Sequence, residues 1–156
     1  MSAAVHSYRP DLLILGSFDR WLQDDAFTDL KSGTCEFLTI LEQESPSLKI
    51  AVVLPTPLPP DTGSCLNAQL SNPSECSAPI NNALSVANKI VQIGVPKAVQ
   101  FLNLTPLFCS ITVCPGVIGN DLTTIHGFIL KASYARTIAP AFVDIVQAKT
   151  GIRLDR

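Results

Sequence analysis

The chain has 156 residues, a net charge of −2 and only 15% charged residues, with no cluster of Lys or Arg anywhere along it. One domain with one core is the expectation for that length. The charge pattern argues against nucleic-acid binding and against a polybasic membrane-docking face. The longest apolar runs, Leu12–Leu15 and Ile50–Leu54, fall far short of the roughly 20 residues that cross a bilayer, so no membrane span is expected in this chain.

The charged fraction is below the roughly 25% of ordinary soluble domains, which points to covered surface or to a part of a larger body. The N-terminal run MSAAVHSYRPD has no apolar signal-peptide core, so no export signal is read in this sequence. The five cysteines point the other way. Cys65 with Cys76 and Cys109 with Cys114 form two close pairs, read as two local disulfides made in an oxidising compartment. Free thiols and a metal site are the rival readings. The C-x₂-C spacing of metal sites is missing, as is a histidine cluster, and no metal or other cofactor is expected. Cys35 falls in a helical pattern and reads as a small buried hydrophobe.

In chain order, residues 1–9 show no periodicity and read as a tail. Asp11–Gly16 is a short apolar run ended by glycine, the pattern of a strand buried on both faces. From Asp25 to Glu44, Phe27, Leu30, Phe37, Leu38 and Leu41 recur at helical spacing, with Asp25 as N-cap. Lys49–Leu54 is a second buried strand, rich in β-branched residues. Four prolines between Pro55 and Pro60 then open a long stretch, to Cys76, that is expected to be irregular.

Ser77-Ala78-Pro79 reads as the start of a helix whose apolar face is Ala83, Leu84, Ala87, Ile90 and Val91, ended by Gly94. Val99–Leu104 is a weaker third strand. The last helix is expected to bury Leu130, Tyr134, Ile138, Phe142 and Ile145, with a kink at Pro140. Helices alternating with apolar strands imply an α/β fold with a parallel sheet. Ligands of such sheets sit at the carboxyl ends of the strands, here the loops Gly16–Trp21, Pro55–Cys76 and Leu107–His126. Three strands are few for two buried faces, and an open apolar edge is expected to self-associate or to be paired by a partner.

One stretch is more specific than these patterns. Residues 108–140 read FCSITVCPGVIGNDLTTIHGFILKASYARTIAP. The run CPGVIGN, followed at fixed distance by SYARTIAP, resembles the C-terminal block of SGNH-type hydrolase domains fused to membrane acyltransferases (acyltransferase family three). Earlier landmarks, PDLLILGSFDRW, LPTPLPP with the Cys65/Cys76 loop, and GVPKAVQFLNLTPLFC, extend the likeness over roughly residues 10–145. The resemblance implies a three-layer, flavodoxin-like parallel sheet of about five strands. It also implies serine acyl-enzyme chemistry in O-acylation, commonly O-acetylation, of cell-surface glycans.

In that family a Gly-Asp-Ser nucleophile follows the first strand, and a later Asp-x-x-His pair supplies acid and base. Matched to it, this chain starts at the third strand, so 10–156 is expected to be a partial SGNH-like domain truncated at its N-terminal strands. The Asp-x-x-His positions hold His126 and Ile129. The chain is therefore expected to be a remnant or fragment, inactive by itself and extracytoplasmic if part of a longer chain. A membrane acyltransferase domain or a cell-surface glycan would be its partner. A non-catalytic glycan- or protein-binding module is one alternative, and a diverged hydrolase using Ser17 and His126 is the other.

A serine esterase needs a hydroxyl, a base close to it, a group that orients the base and donors for the oxyanion. Ser17 follows a strand and a glycine, where a nucleophile would be displayed, or where a serine satisfies a turn. His126 could act as base with Asp121 or Asp19 orienting it, or be a loop histidine without chemistry. Asn120 is a candidate ligand in a turn that favours asparagine for its backbone. Asp19 and Arg20 could contact a sugar or sit as a solvated pair. Adjacent Asp24 and Asp25 read as a helix start complementing the dipole rather than as a catalytic dyad.

Overall fold

The computed structural model describes residues 5, 7–16, 27–54, 62–68, 72–80, 95–125 and 129–154. In chain order the elements are β1 (Leu12–Leu15), α1 (Phe27–Glu44), β2 (Lys49–Val53), α2 (Thr62–Ala68), β3 (Ser77–Pro79), β4 (Val99–Leu102), β5 (Val113–Pro115), β6 (Val117–Ile118), β7 (Asp121–Leu122), β8 (Thr124–Ile125), β9 (Ile129–Leu130) and α3 (Ala132–Thr150). Short 3₁₀ turns lie at Pro73–Glu75 and Thr105–Leu107. The chain divides into two units: Met1–Pro55 with Val86–Leu102 and Ile145–Arg156, and Thr56–Ser85 with Asn103–Asp144.

The first unit holds a three-stranded parallel sheet in the order β1-β2-β4. Leu13 stands opposite Ile50 in one ladder, and Val52 opposite Phe101 in the other. The Lys49 N–H donates to the Asp11 carbonyl at 3.0 Å, and the Leu54 N–H to the Leu102 carbonyl at 2.9 Å, carrying both ladders past the strand ends. Central β2 has Ile50, Ala51 and Val52 almost wholly buried. A strand covered on both faces has no use for polar alternation, which is why Ile50–Val53 is one apolar run after the exposed Lys49.

Helix α1 supplies Leu38 and Leu41, both fully buried, one helical turn apart on the face toward this core. Ile40 and the neighbouring Glu36, Gln43 and Glu44 lie on its exposed side. Leu48, Val99 and Val5 complete the cluster, with Phe37, Val95 and Phe101 packed against it. Val5 comes from the stretch read as a tail, and it is 7% exposed.

Strand β1 departs from the expectation of burial on both faces. Leu12, Leu13 and Leu15 are half-buried and Ile14 is 38% exposed. The reason is its position: among the described residues β1 pairs on one side only, with β2, and is an edge strand.

The second unit is built from short antiparallel ladders. β3 pairs with β5, setting Ala78 opposite Cys114. That ladder is prolonged by Ile80 N–H to the Thr112 carbonyl (3.2 Å) and Gly116 N–H to the Cys76 carbonyl (3.0 Å). Ser77–Pro79 is therefore a strand and not the first turn of a helix. Ser-Ala-Pro suits either state locally, and the pairing with Val113–Pro115 decides. The rest of the expected helix, residues 81–94, lies outside the described residues.

The expected irregular stretch 55–76 also contains order. α2 forms once the prolines have ended at Pro60, and it lies against β8. β6 and β7 make a hairpin, as do β8 and β9. Between these hairpins Thr123, 1% exposed, ties the chain back: its N–H and its hydroxyl both donate to the Gly116 carbonyl, at 2.9 and 3.0 Å.

α3 begins at Ala132, after β9, so Leu130, expected on its apolar face, precedes it. Leu130 consequently belongs to a strand and is 36% exposed, so it does not join the helix's apolar face. Tyr134 is buried, while Ile138, Phe142 and Ile145 are half-buried. Pro140 lies inside the helix. No described helix is long and apolar enough to cross a membrane.

Candidate functional site

The carboxyl ends of parallel strands are where α/β sheets hold their ligands. Of the three loops that leave those ends, residues 17–26 and 55–61 lie outside the described residues, and with them Ser17, Asp19, Arg20, Asp24 and Asp25. The loop after β4 is described. It turns at once: Asn103 Oδ1 accepts the Thr105 N–H at 3.0 Å, an Asx turn that starts the 3₁₀ helix Thr105–Leu107. This is why the third strand stops at Leu102 and not at Leu104.

Tyr134 pins the end of that 3₁₀ turn. The tyrosine is 2% exposed and its hydroxyl donates to the Leu107 carbonyl. Its ring meets Phe108 edge-on, with centroids 5.8 Å apart at 62°. Burial raises the phenol pKa above its ordinary 10.0. Replacing Tyr134 by phenylalanine is expected to cost about 1–2 kcal/mol, since the Leu107 carbonyl loses its donor while the ring packing survives.

The pH sign follows from the raised value. The folded chain holds the neutral phenol more tightly than the unfolded chain does. The stability tied to it is complete below the unfolded pKa near 10 and is lost as pH rises through the folded value. Denaturant titrations across that range are expected to show a steeper alkaline loss for the wild type than for Tyr134→Phe.

Cys109 and Cys114 are joined by a disulfide, and so are Cys65 and Cys76. The spacing-based pairing therefore holds, and these four sulfurs are not available as metal thiolates. Among the described residues no three His, Cys, Asp or Glu side chains converge on a metal position. Cys35 lies outside both disulfides and is half-buried in α1, where its carbonyl accepts the Thr39 hydroxyl at 2.7 Å. Two disulfides fit an oxidising, extracellular type of compartment.

The loop closed by Cys109–Cys114 is ordered further by Ser110, whose N–H donates to the Val113 carbonyl at 2.8 Å and whose hydroxyl accepts the Val113 N–H at 3.2 Å. Together with the turn after β4 it borders an open groove of about 390 Å³, lined by Ile80, Asn103, Thr105, Pro106, Cys109, Ser110 and Ile111. Ile111 is 93% exposed. The groove is largely apolar and carries no ionisable side chain, so it offers contact surface and amide or hydroxyl hydrogen bonds but no acid–base chemistry.

Asn120 sits in the two-residue turn between β6 and β7 and is exposed. Gly119 before it has φ +61°, which the first position of such a hairpin turn requires. Asp121 follows in β7, half-buried. His126 lies outside the described residues, in the connection between β8 and β9, and Ile129 is the first residue of β9, paired with Ile125. The groove residues Ile80, Asn103 and Thr105 were not singled out by sequence reasoning. The one local signal was the Asn-Leu-Thr-Pro run directly after a strand.

Compared with family models, curated proteins and solved structures, the chain finds no match.

Proposed function

We propose that the chain is the later part of an SGNH-like domain of the kind fused to membrane acyltransferases. It would stand outside the cytosol and contribute fold, not catalysis, to O-acylation of cell-surface glycans. The observation that carries this reading is strand order. In a flavodoxin-like sheet ordered 2-1-3-4-5 the last three strands follow one another without reversal. The sheet β1-β2-β4 is likewise parallel and sequential.

In this reading the outer edge of β1 is the place for the sheet's first strand, the one that ends in Gly-Asp-Ser in the family. The half-exposed apolar character of β1 supports that placement. The two disulfides support the compartment. At the positions of the acid and base stand His126 and Ile129, and isoleucine has no proton to transfer.

The test is esterase turnover of p-nitrophenyl acetate by the chain and by the double variant His126→Asp/Ile129→His. Both are expected to stay at the uncatalysed rate, because the nucleophile strand is supplied by neither. Turnover by the double variant would remove the reading. Calorimetric binding of a glycan without turnover would instead mark the chain as a binding module derived from the same fold.

A further inference from the structure

The apolar groove beside the Cys109–Cys114 loop has a chemical feature on its rim that the catalytic reading does not use. Asn103-Leu104-Thr105 is an Asn-x-Ser/Thr acceptor sequence. The only other Asn two residues before a hydroxyl residue, Asn72, is followed by Pro73, which disqualifies it.

Asn103 meets the structural needs of such a site. It is exposed, it lies in a surface turn directly after β4, and it borders the groove. Its Oδ1 is engaged by the Thr105 N–H at 3.0 Å, while its Nδ2 takes part in no hydrogen bond among the described residues. A sugar on Nδ2 would leave the Asx turn intact, because the acceptor oxygen is untouched. The two disulfides belong to the compartment in which this modification is made.

We infer that Asn103 is an N-glycosylation site whose first sugars lie at the mouth of the groove, over Pro106 and Ile111. The donor is a lipid pyrophosphate-linked oligosaccharide. Nδ2 attacks the anomeric carbon, the bond from that carbon to the pyrophosphate oxygen breaks, the lipid pyrophosphate leaves, and Nδ2 gives up one proton. A glycan there gives the groove a covalent occupant and shields Ile111, which at 93% exposure is the most exposed large apolar side chain described. Pro106, directly after the acceptor threonine, stiffens the segment, so a mixture of glycosylated and bare chains is expected.

The experiment directs the full chain into the secretory compartment of a eukaryotic cell with a cleavable leader. Lysate and medium are both collected, so that a retained chain is still read. A slower-migrating fraction is expected to collapse to a single band on treatment with peptide N-glycosidase. Release in heavy-oxygen water should convert Asn103, and no other asparagine, to labelled aspartate. Asn103→Gln should abolish the slow fraction. A wild-type chain without the shift, or one labelled at another asparagine, would overturn the inference.

Discussion

Leu41→Ala is expected to destabilise the first unit by about 2–5 kcal/mol, the range for truncating a fully buried leucine where the surroundings cannot collapse into the space. Leu41 is 0% exposed and sits with Leu38 against Ile50, Val52 and Val99. Its neighbour Ile40 lies on the outward side of α1 and is 40% exposed. Ile40→Ala is therefore the control, and its cost is expected to stay below about 1 kcal/mol. Urea titrations followed by circular dichroism compare the two. Equal losses would mean that α1 does not present the Leu38–Leu41 face to the sheet.

Replacing Cys65 and Cys76 together by serine is expected to cost about 2–4 kcal/mol in the second unit. The bond closes a segment with a separation of 11 residues, so the unfolded chain gains freedom when it is lost. The folded state suffers as well: Cys76 is 0% exposed, and its carbonyl takes the Gly116 N–H that extends the β3–β5 ladder. A buried serine hydroxyl there needs a partner that a sulfur did not. Thermal unfolding of oxidised wild type and the double variant reads the loss. A melting temperature within a degree of wild type would contradict the placement of this bond at the root of the ladder.

The parts of the fold that were legible in sequence are those fixed locally. Ile50–Val53 and Leu12–Leu15 are continuous apolar runs, too short for a helix and flanked by Lys49, Asp11 and Gly16, which is how strands of a parallel sheet read. The spacing of Phe37, Leu38 and Leu41 gave α1. The second unit was hardly legible, because its strands are two or three residues long, too short for any periodicity to register.

Those strands are held by distant partners: Ala78 by Cys114, Thr123 by Gly116, Leu107 by Tyr134. Thr62–Ala68 was missed because Thr-Gly-Ser-Cys-Leu-Asn-Ala has no apolar stripe and contains a glycine, so its helicity comes from context and not from pattern. The candidate site divides in the same way. Both cysteine pairs could be read from spacing alone. The groove could not, since Ile80 reaches it from a segment more than 20 residues away from Asn103.

The central claim is that these three parallel strands are the later part of an SGNH-like sheet. Its most direct test is the nucleotide sequence of the transcript and gene immediately upstream of the Met1 codon. The account predicts a reading frame, continuous or broken by a single lesion, that encodes an apolar strand ending in Gly-Asp-Ser, with membrane helices before it. Unrelated sequence at that position would contradict the account and favour the reading of the chain as a non-catalytic binding module.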